Sequence, residues 1–140
     1  MEVKQLALNE ENPQVIAVLN QLRPDYSPLE LQQQITKQQQ HGYHIIYVQQ
    51  GSQTLGVAGF VINEKLAWGK NIYVDDLITD THSRSCGVGT KLIDWLKDYA
   101  RAQNCKEIHL DSGVQRFLAH KFYLRESFVI SSHHFTYRLS

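Results

Sequence analysis

One short segment, residues 84–90, combines a positive charge with two closely spaced glycines in the order Arg-Ser-Cys-Gly-Val-Gly-Thr. Gly87 and Gly89 allow a tight turn and a close approach of the backbone to a ligand. The segment runs into a predicted helix, whose first amide groups have no intrahelical partner and, with the helix dipole, favour an anion such as phosphate. Arg84 adds a cation at the same place. An ordinary strand-to-helix turn remains the alternative interpretation of the two glycines alone.

Two common phosphate-binding motifs do not fit this segment. A Walker A loop requires Gly-Lys-Ser/Thr, whereas residues 89–91 read Gly-Thr-Lys. A dinucleotide-binding fingerprint requires a third glycine three residues after the second, where this chain has Leu92. The pattern therefore favours a phosphate group that neither motif binds.

The elements that must position this turn follow from apolar spacing and from capping residues. The strongest helix pattern covers residues 88–102, with apolar side chains at helical spacing on one face and charged side chains on the other. Asn12-Pro13 and Ser27-Pro28 predict the starts of two earlier helices, the second with a capping box. The remaining predictions are strands at 1–8, 44–48, 55–62, 71–78 and 108–110, a helix at 114–124, and a closing pair of strands within 128–138. This order predicts an α/β fold with helices packed on a mixed sheet.

Length and charge exclude several classes of protein. The 140 residues predict a single domain over 1–140, and 14 Lys+Arg balance 14 Asp+Glu. A zero net charge argues against binding to nucleic acid or to an anionic membrane, because such proteins usually carry a basic surplus. We find no membrane-length apolar run and no leader pattern, and two cysteines are too few for a disulfide framework. The expected location is therefore the cytoplasm.

At this point the sequence resembles a known family. The spacing Arg84-x-x-Gly87-x-Gly89 resembles the acetyl-CoA pyrophosphate loop of the GNAT N-acetyltransferase superfamily. Residues 74–79 fit the strand that precedes this loop, and residues 119–128 are similar to the later A-x-x-F-Y-x-x-x-G-F segment. Ser85 and Ser127 stand where the family usually has glycine. The resemblance covers essentially the whole chain. It implies a mixed, mostly antiparallel sheet of six to seven strands, about four helices, and a parallel splayed strand pair at the cofactor site.

The resemblance implies acetyl-CoA as cosubstrate and direct acetyl transfer to an amine, without an acyl-enzyme. The loop amides would hold the pyrophosphate, and the fourth strand would pair with the pantetheine arm. The implied acetyl-CoA contacts are Leu77, Thr79, Arg84, Ser85, Cys86, Gly87, Val88, Gly89 and Thr90.

The chemistry requires a group that takes a proton from the amine and an acid near the departing thiolate. Tyr123 matches the family position of that acid. On a helical wheel it lies opposite the apolar stripe of its helix, so we expect it to be exposed or to face the cofactor. The stripe consists of Val114, Phe117, Leu118, Phe122 and Leu124.

Asp75 and Asp76 are the candidates for the base, and Asp76 matches the more usual acidic position. Only one of them is expected to face the gap between the strands, because adjacent strand residues point to opposite faces. Both could instead be ordinary strand-end carboxylates. His109 and Asp111 on the next strand are weaker candidates. We predict no metal site, since the adjacent His133 and His134 would point in opposite directions.

The expected acceptor is a small-molecule primary amine, because the catalytic fold uses the whole chain and leaves little to dock a protein. A protein or peptide acceptor and a non-catalytic CoA-binding regulatory module are the alternatives. Exposed strand edges near the C-terminus would also allow a homodimer.

Overall fold

A computed structural model describes residues 1–84 and 86–140, so the Ser85 contact predicted above lies outside the described residues. The described chain forms two compact units, Met1–Leu110 and Asp111–Ser140. The first unit holds five strands, three helices and a short 3-10 helix at Thr81–Ser83. The strands are β1 (Glu2–Gln5), β2 (Tyr43–Gln50), β3 (Gln53–Lys65), β4 (Gly69–Thr79) and β5 (Glu107–Leu110), and the helices are α1 (Pro13–Leu22), α2 (Pro28–Gln39) and α3 (Val88–Ala102). The second unit holds α4 (Phe117–Arg125).

The starts of α1 and α2 are confirmed where the capping residues predict them. The side chain of Asn12 accepts a hydrogen bond from the Val15 amide at 3.2 Å, and proline occupies the first turn. Ser27 and Glu30 form the reciprocal capping box, with distances of 3.2 and 3.1 Å. These caps satisfy amide groups that a helix leaves without internal partners. They fix where α1 and α2 meet the sheet.

The five strands form one sheet in the order β1-β2-β3-β4-β5. All neighbours are antiparallel except β4 and β5, which are parallel. Side chains alternate along β2, so Tyr43, Ile45 and Tyr47 join the core under α1 and α2. On the other face the ring of Phe60 contacts the α3 rings of Trp95 and Tyr99, with centroids 6.2 and 5.8 Å away. Helices therefore cover both faces of the sheet, and the prediction of helices packed on a mixed sheet is confirmed.

The predicted parallel splayed pair is confirmed. Pairing between β4 and β5 runs from Asn71–Glu107 to Val74–Leu110. β4 then continues to Thr79 along β3, and the described residues of β5 offer it no partner over those last five residues. One edge of β4 is thus open directly after the parallel pair.

The predicted strand count of six to seven is wrong for the described residues, which form five strands. Residues 128–140 adopt neither helix nor strand. This segment has no Gly, Pro, Asn or Asp with which to make a tight hairpin turn, and the polar run 131–134 interrupts its apolar alternation. A pair of closing strands therefore lacks its turn.

No helix in the described part of the chain has the length and apolar character needed to cross a membrane.

Candidate functional site

The predicted phosphate-binding turn has the geometry of an open helix N-terminus. Gly87 precedes α3 with a φ of +79°, in the left-handed region that favours glycine. Within the described residues no side chain caps this helix end, and its first turn carries no acidic residue. A Cβ added at Gly87 would have no described atom within 4 Å. Gly87 thus gives α3 an exposed N-terminus with room in front of it, and such a helix end suits a phosphate group.

Gly56 allows the N-terminus of α3 to pack closely against the sheet. Gly56 of β3 pairs with Thr79, the last residue of β4. A Cβ at Gly56 would lie 2.5 Å from Cγ1 of Val88, the first residue of α3, and 3.1 Å from the carbonyl oxygen of Ile78. Glycine is required at this position because the backbones approach so closely. The start of α3 consequently lies beside the end of β4.

Arg84 and Cys86 flank the undescribed Ser85, and both are exposed. The Cys86 thiol donates to the carbonyl oxygen of Arg84 at 3.7 Å. Asp80 caps the 3-10 helix that precedes Arg84, and its side chain accepts a hydrogen bond from Gln21 of α1 at 2.8 Å. Gln21 also accepts from the Thr81 hydroxyl at 2.9 Å. The end of α1 thus anchors the segment that leads into the loop.

A bulge interrupts the β3–β4 ladder at the predicted carboxylates. Gly59 is opposite Asp76 and Phe60 is opposite Val74, so Asp75 is the extra residue on β4. Bulges break the strict alternation of side chains and re-aim them, often beside active sites. Asp75 is also the first residue of β4 beyond its pairing with β5. The bulge therefore lies where the gap between the two strands opens.

The carboxylate of Asp76 is engaged on both oxygens. Its Oδ1 accepts from Nε of Arg23 at 2.9 Å and lies 2.7 Å from Nη2 of the same guanidinium. Its Oδ2 accepts from the hydroxyl of Tyr43 at 2.5 Å. Tyr43 is buried, and burial, with the Asp76 charge as the next cause, raises its pKa well above the ordinary value. Tyr43 therefore stays a hydrogen-bond donor at neutral pH.

The carboxyl group of Asp75 behaves differently from that of Asp76. It has no hydrogen-bond or ion-pair partner among the residues that the structure describes, although Arg23 Nη2 donates to its backbone carbonyl at 3.1 Å. Although the residue is exposed, partial desolvation of the carboxyl group raises its pKa, and the Asp76 charge raises it further. Arg23 offsets part of that rise. A raised pKa makes a carboxylate a stronger proton acceptor.

The site therefore depends on residues that the motifs do not mark. None of the motifs that point to this site includes Arg23, Tyr43, Gly56 or Gly59. Their roles arise from the pairing of β2, β3 and β4 and from the packing of α1. Leu77 and Thr79, the predicted partners of the pantetheine arm, lie on the open part of β4 opposite Ala58 and Gly56.

Tyr123 belongs to the second unit, where it is buried rather than exposed. Its ring contacts those of Phe122 and Phe128, with centroids 5.3 and 5.9 Å away. Ser127 has a φ of +74°, which turns the chain so that the Phe128 amide donates to the Tyr123 carbonyl at 3.0 Å. Burial raises the pKa of Tyr123, and Arg116 lowers it in part. A tyrosine with a raised pKa is protonated at neutral pH and can donate a proton.

In α4 the structure buries Tyr123 and leaves most of the predicted apolar stripe exposed, which differs from the helical-wheel interpretation. The exposed members of this stripe, predicted opposite Tyr123, are Val114, Phe117, Leu118 and Leu124.

The weaker base candidates have partners of their own. Nε2 of His109 lies 2.9 Å from a Glu107 oxygen, and its ring stacks on Trp68 at 3.5 Å. In the second unit Asp111 lies 3.2 Å from Nδ1 of His134. Across the described residues, no three His, Cys, Asp or Glu side chains gather to hold a metal ion.

Comparison with known proteins agrees with this geometry. The sequence model of the Acetyltransferase (GNAT) family matches residues 8–128. An uncharacterized N-acetyltransferase of Bacillus subtilis (strain 168), YhdJ, is 28% identical over 137 residues, which cover 96% of each chain.

Two solved structures are similar in fold. An aminoglycoside acetyltransferase, meta-AAC0020, from an uncultured soil metagenomic sample has a TM-score of 0.81 at 19% identity, covering 99% of this chain and 96% of that one. Glucosamine-6-phosphate N-acetyltransferase from Arabidopsis thaliana has a TM-score of 0.78 at 18% identity, covering 99% and 98%. With the family match extending from residue 8 to residue 128, the chain belongs to the GNAT family of acetyltransferases and is an acyltransferase enzyme.

Proposed function

We propose that the protein is an acetyl-CoA-dependent N-acetyltransferase that transfers the acetyl group directly to a small-molecule primary amine. The observation that carries the proposal is the pairing of an open β4 edge with the open N-terminus of α3. Gly56 brings the two together, because it contacts the start of α3 and pairs with the end of β4. A strand edge can hydrogen-bond an amide-containing arm, and a helix N-terminus can hold a pyrophosphate.

The residues present fit acetyl-CoA. The amides of residues 86–90 would hold the pyrophosphate, with Arg84 adding its charge. Leu77 and Thr79 would offer backbone groups to the pantetheine arm. When bound, acetyl-CoA supplies an activated thioester carbonyl to the acceptor.

In the transfer, a C–N bond forms between the amine nitrogen and the acetyl carbonyl carbon while the C–S bond breaks. The nitrogen loses a proton to a carboxylate of β4, at Asp75 or Asp76. The departing thiolate receives a proton from the Tyr123 hydroxyl, so that the products are an amide and a free thiol. The family motif supports the assignment of Tyr123, and the raised pKa of its hydroxyl keeps that proton in place at neutral pH.

The choice of a small amine rests on the extent of the match. The family match covers residues 8–128, so the catalytic fold takes up most of this sequence and leaves little of it to dock a protein. Similar structures are named for aminoglycosides and for glucosamine-6-phosphate, so amino sugars belong in the first panel of acceptors.

Titration calorimetry with acetyl-CoA tests the binding part of the proposal. We expect saturable heat and a rise in melting temperature for the wild type. Gly87→Ala should weaken binding, because the left-handed φ becomes strained and the added Cβ enters the space in front of α3. The absence of both heat and a melting shift in the wild type would overturn the proposal.

Turnover with a panel of amino sugars, polyamines and peptides tests the chemistry. Tyr123→Phe should lower kcat about 10²-fold or more, the usual contribution of a positioned acid, and leave the acetyl-CoA affinity unchanged. Unchanged turnover in this variant would remove Tyr123 as the acid. Transfer to peptides alone would replace the small-amine acceptor, and binding without any transfer would favour a regulatory module.

We also propose that the chain forms a homodimer in the cytoplasm. The support is the group of large apolar side chains left exposed within 114–139, in which Phe135, Tyr137 and Leu139 alternate as they would along a strand. A second copy of the chain can pair with this segment through a two-fold axis, since the same patch then meets itself.

A further inference from the structure

The two adjacent carboxylates of β4 differ in their surroundings. Asp76 accepts one hydrogen bond from Nε of Arg23 and one from the Tyr43 hydroxyl, and it forms an ion pair with the same guanidinium. Taking up a proton at Asp76 would cost at least one of these bonds, because a protonated oxygen cannot accept there as before. The Asp75 carboxyl group has no such partner among the described residues. Asp75 is therefore the carboxylate of this pair that can receive a proton without breaking contacts.

The contacts of Asp76 also fix the backbone at Asp75. Arg23 bonds Oδ1 of Asp76 and, through Nη2, the carbonyl oxygen of Asp75 at 3.1 Å. One guanidinium thus bridges the side chain of one residue and the backbone of the residue before it. A bulged residue is held less well by its ladder than its neighbours are, so this bridge compensates for the missing sheet contact.

Tyr43 can reach Asp76 only because residue 59 has no side chain. Tyr43 lies on β2 and Asp76 on β4, with β3 between them. The tyrosine ring crosses β3 at Gly59, which pairs with Asp76. A Cβ added at Gly59 would overlap the Tyr43 hydroxyl group and the ring carbons next to it. The absence of a side chain at Gly59 therefore allows the hydrogen bond from the Tyr43 hydroxyl to the Asp76 carboxylate.

We propose that Tyr43, Gly59 and Arg23 are positioning residues that act through Asp76 to hold Asp75 as the proton acceptor for the amine. This inference rests on the proposed function, because the accepted proton is the one that the amine nitrogen loses as the C–N bond forms. The Asp75 carboxylate becomes a carboxylic acid in that step and returns the proton to solvent after the product leaves.

The charged and titratable groups recorded around Asp75 are Asp76, Arg23 and Tyr43. The Tyr43 hydroxyl directs the positive end of its O–H dipole at Asp76 and so compensates part of that negative charge. Loss of the hydroxyl leaves a more negative field at Asp75. Its pKa should therefore rise, and the acidic limb of the rate profile should move to higher pH.

The test compares Tyr43→Phe with a matched control, Tyr47→Phe. Both tyrosines are buried on β2 and share one face of the strand, but only Tyr43 bonds Asp76. For Tyr43→Phe we expect kcat to fall about tenfold, the cost of one hydrogen bond to a charged group, with the acetyl-CoA affinity unchanged. The acidic midpoint of kcat/KM should rise. Tyr47→Phe should leave the midpoint in place even where it lowers stability.

Gly59→Ala should reproduce the effects of Tyr43→Phe, because it displaces the same hydroxyl. Asp75→Asn should abolish the acidic limb and lower kcat by about 10²-fold or more. An unchanged midpoint in Tyr43→Phe would overturn the positioning role. An acidic limb that survives in Asp75→Asn and disappears in Asp76→Asn would overturn the assignment of the proton acceptor.

A measurement that needs no turnover separates this inference from the proposed function. Carboxyl ¹³C NMR titration of the free protein reads the Asp75 midpoint directly. The inference expects a midpoint that rises in Tyr43→Phe and stays constant in Tyr47→Phe. A wild-type protein that acetylates no amine would overturn the proposed function and the proton-acceptor role together. An Asp75 titration midpoint that is the same in Tyr43→Phe and in the wild type would overturn the inference alone.

Discussion

The contact between Gly56 and Val88 predicts how firmly the α3 N-terminus is fixed. In Gly56→Ala the new Cβ would lie 2.5 Å from Cγ1 of Val88, far inside van der Waals contact, and Val88 itself is only 1% exposed. Overpacking of this kind costs about 1–3 kcal/mol of unfolding free energy, which corresponds to a melting temperature roughly 3–10 °C lower. The strain should also push the start of α3 away from β4 and weaken acetyl-CoA binding roughly tenfold.

A second substitution identifies the clash as the cause. Val88→Ala alone should cost about 2 kcal/mol, because it removes buried methyl groups. In the double variant the new Cβ fits where Cγ1 was, so the combined loss should be smaller than the sum of the single losses by about 1 kcal/mol or more. Rescue should remain partial, since the contact at 3.1 Å with the Ile78 carbonyl persists.

The assay is urea denaturation of the four proteins together with acetyl-CoA titration of each. Gly42→Ala is the control, because it strains a left-handed turn between α2 and β2 without a close contact. It should lower stability by about 1–2 kcal/mol and leave the acetyl-CoA affinity unchanged. Strictly additive losses in the double variant, or an unaltered affinity in Gly56→Ala, would refute the reasoning.

Three further predictions concern the rest of the chain. Ser127→Gly should raise the unfolding free energy by about 1 kcal/mol in urea denaturation, because Ser127 has a φ of +74°, and a loss of stability would contradict the strain. Asp75→Asn should raise stability at pH 7 by less than about 1 kcal/mol, since the group is exposed and screened. Because the pKa of Asp75 is raised in the folded protein, the wild type loses unfolding free energy as the pH rises from the pKa of the unfolded chain through that of the folded protein. In Asp75→Asn this contribution to the pH dependence of the unfolding free energy should be absent. Sedimentation velocity should detect a homodimer that Phe135→Asp and Tyr137→Asp dissociate, whereas a monomer at all concentrations would exclude it.

The sequence predicts the first unit well because its signals are local. Capping residues mark α1 and α2, and α3 has its predicted bounds, 88–102, because one long amphipathic stripe defines it. Asn104 follows that helix in the left-handed conformation that asparagine tolerates at a helix end, with a φ of +60°. Such features depend on a few neighbouring residues and can be recognised without the fold.

Other features depend on pairing between distant segments and could not be predicted in the same way. The bulge at Asp75 is a property of the β3–β4 register, so a strict alternation of Asp75 and Asp76 could not anticipate it. Tyr43 and Arg23 reach Asp76 from β2 and from the end of α1, 33 and 53 residues away in the chain. The prediction of closing strands within 128–138 rests on apolar spacing, which does not provide the turn that a hairpin needs.

The measurement that tests the central claim most directly is acetyl transfer followed by mass spectrometry. The purified protein is incubated with isotopically labelled acetyl-CoA and a panel of primary amines led by amino sugars. We predict a labelled N-acetyl product formed in equal amount with free CoA thiol, and formation of both about 10²-fold slower or more in Asp75→Asn. Binding of acetyl-CoA without transfer to any amine, or release of thiol by hydrolysis alone, would contradict the account.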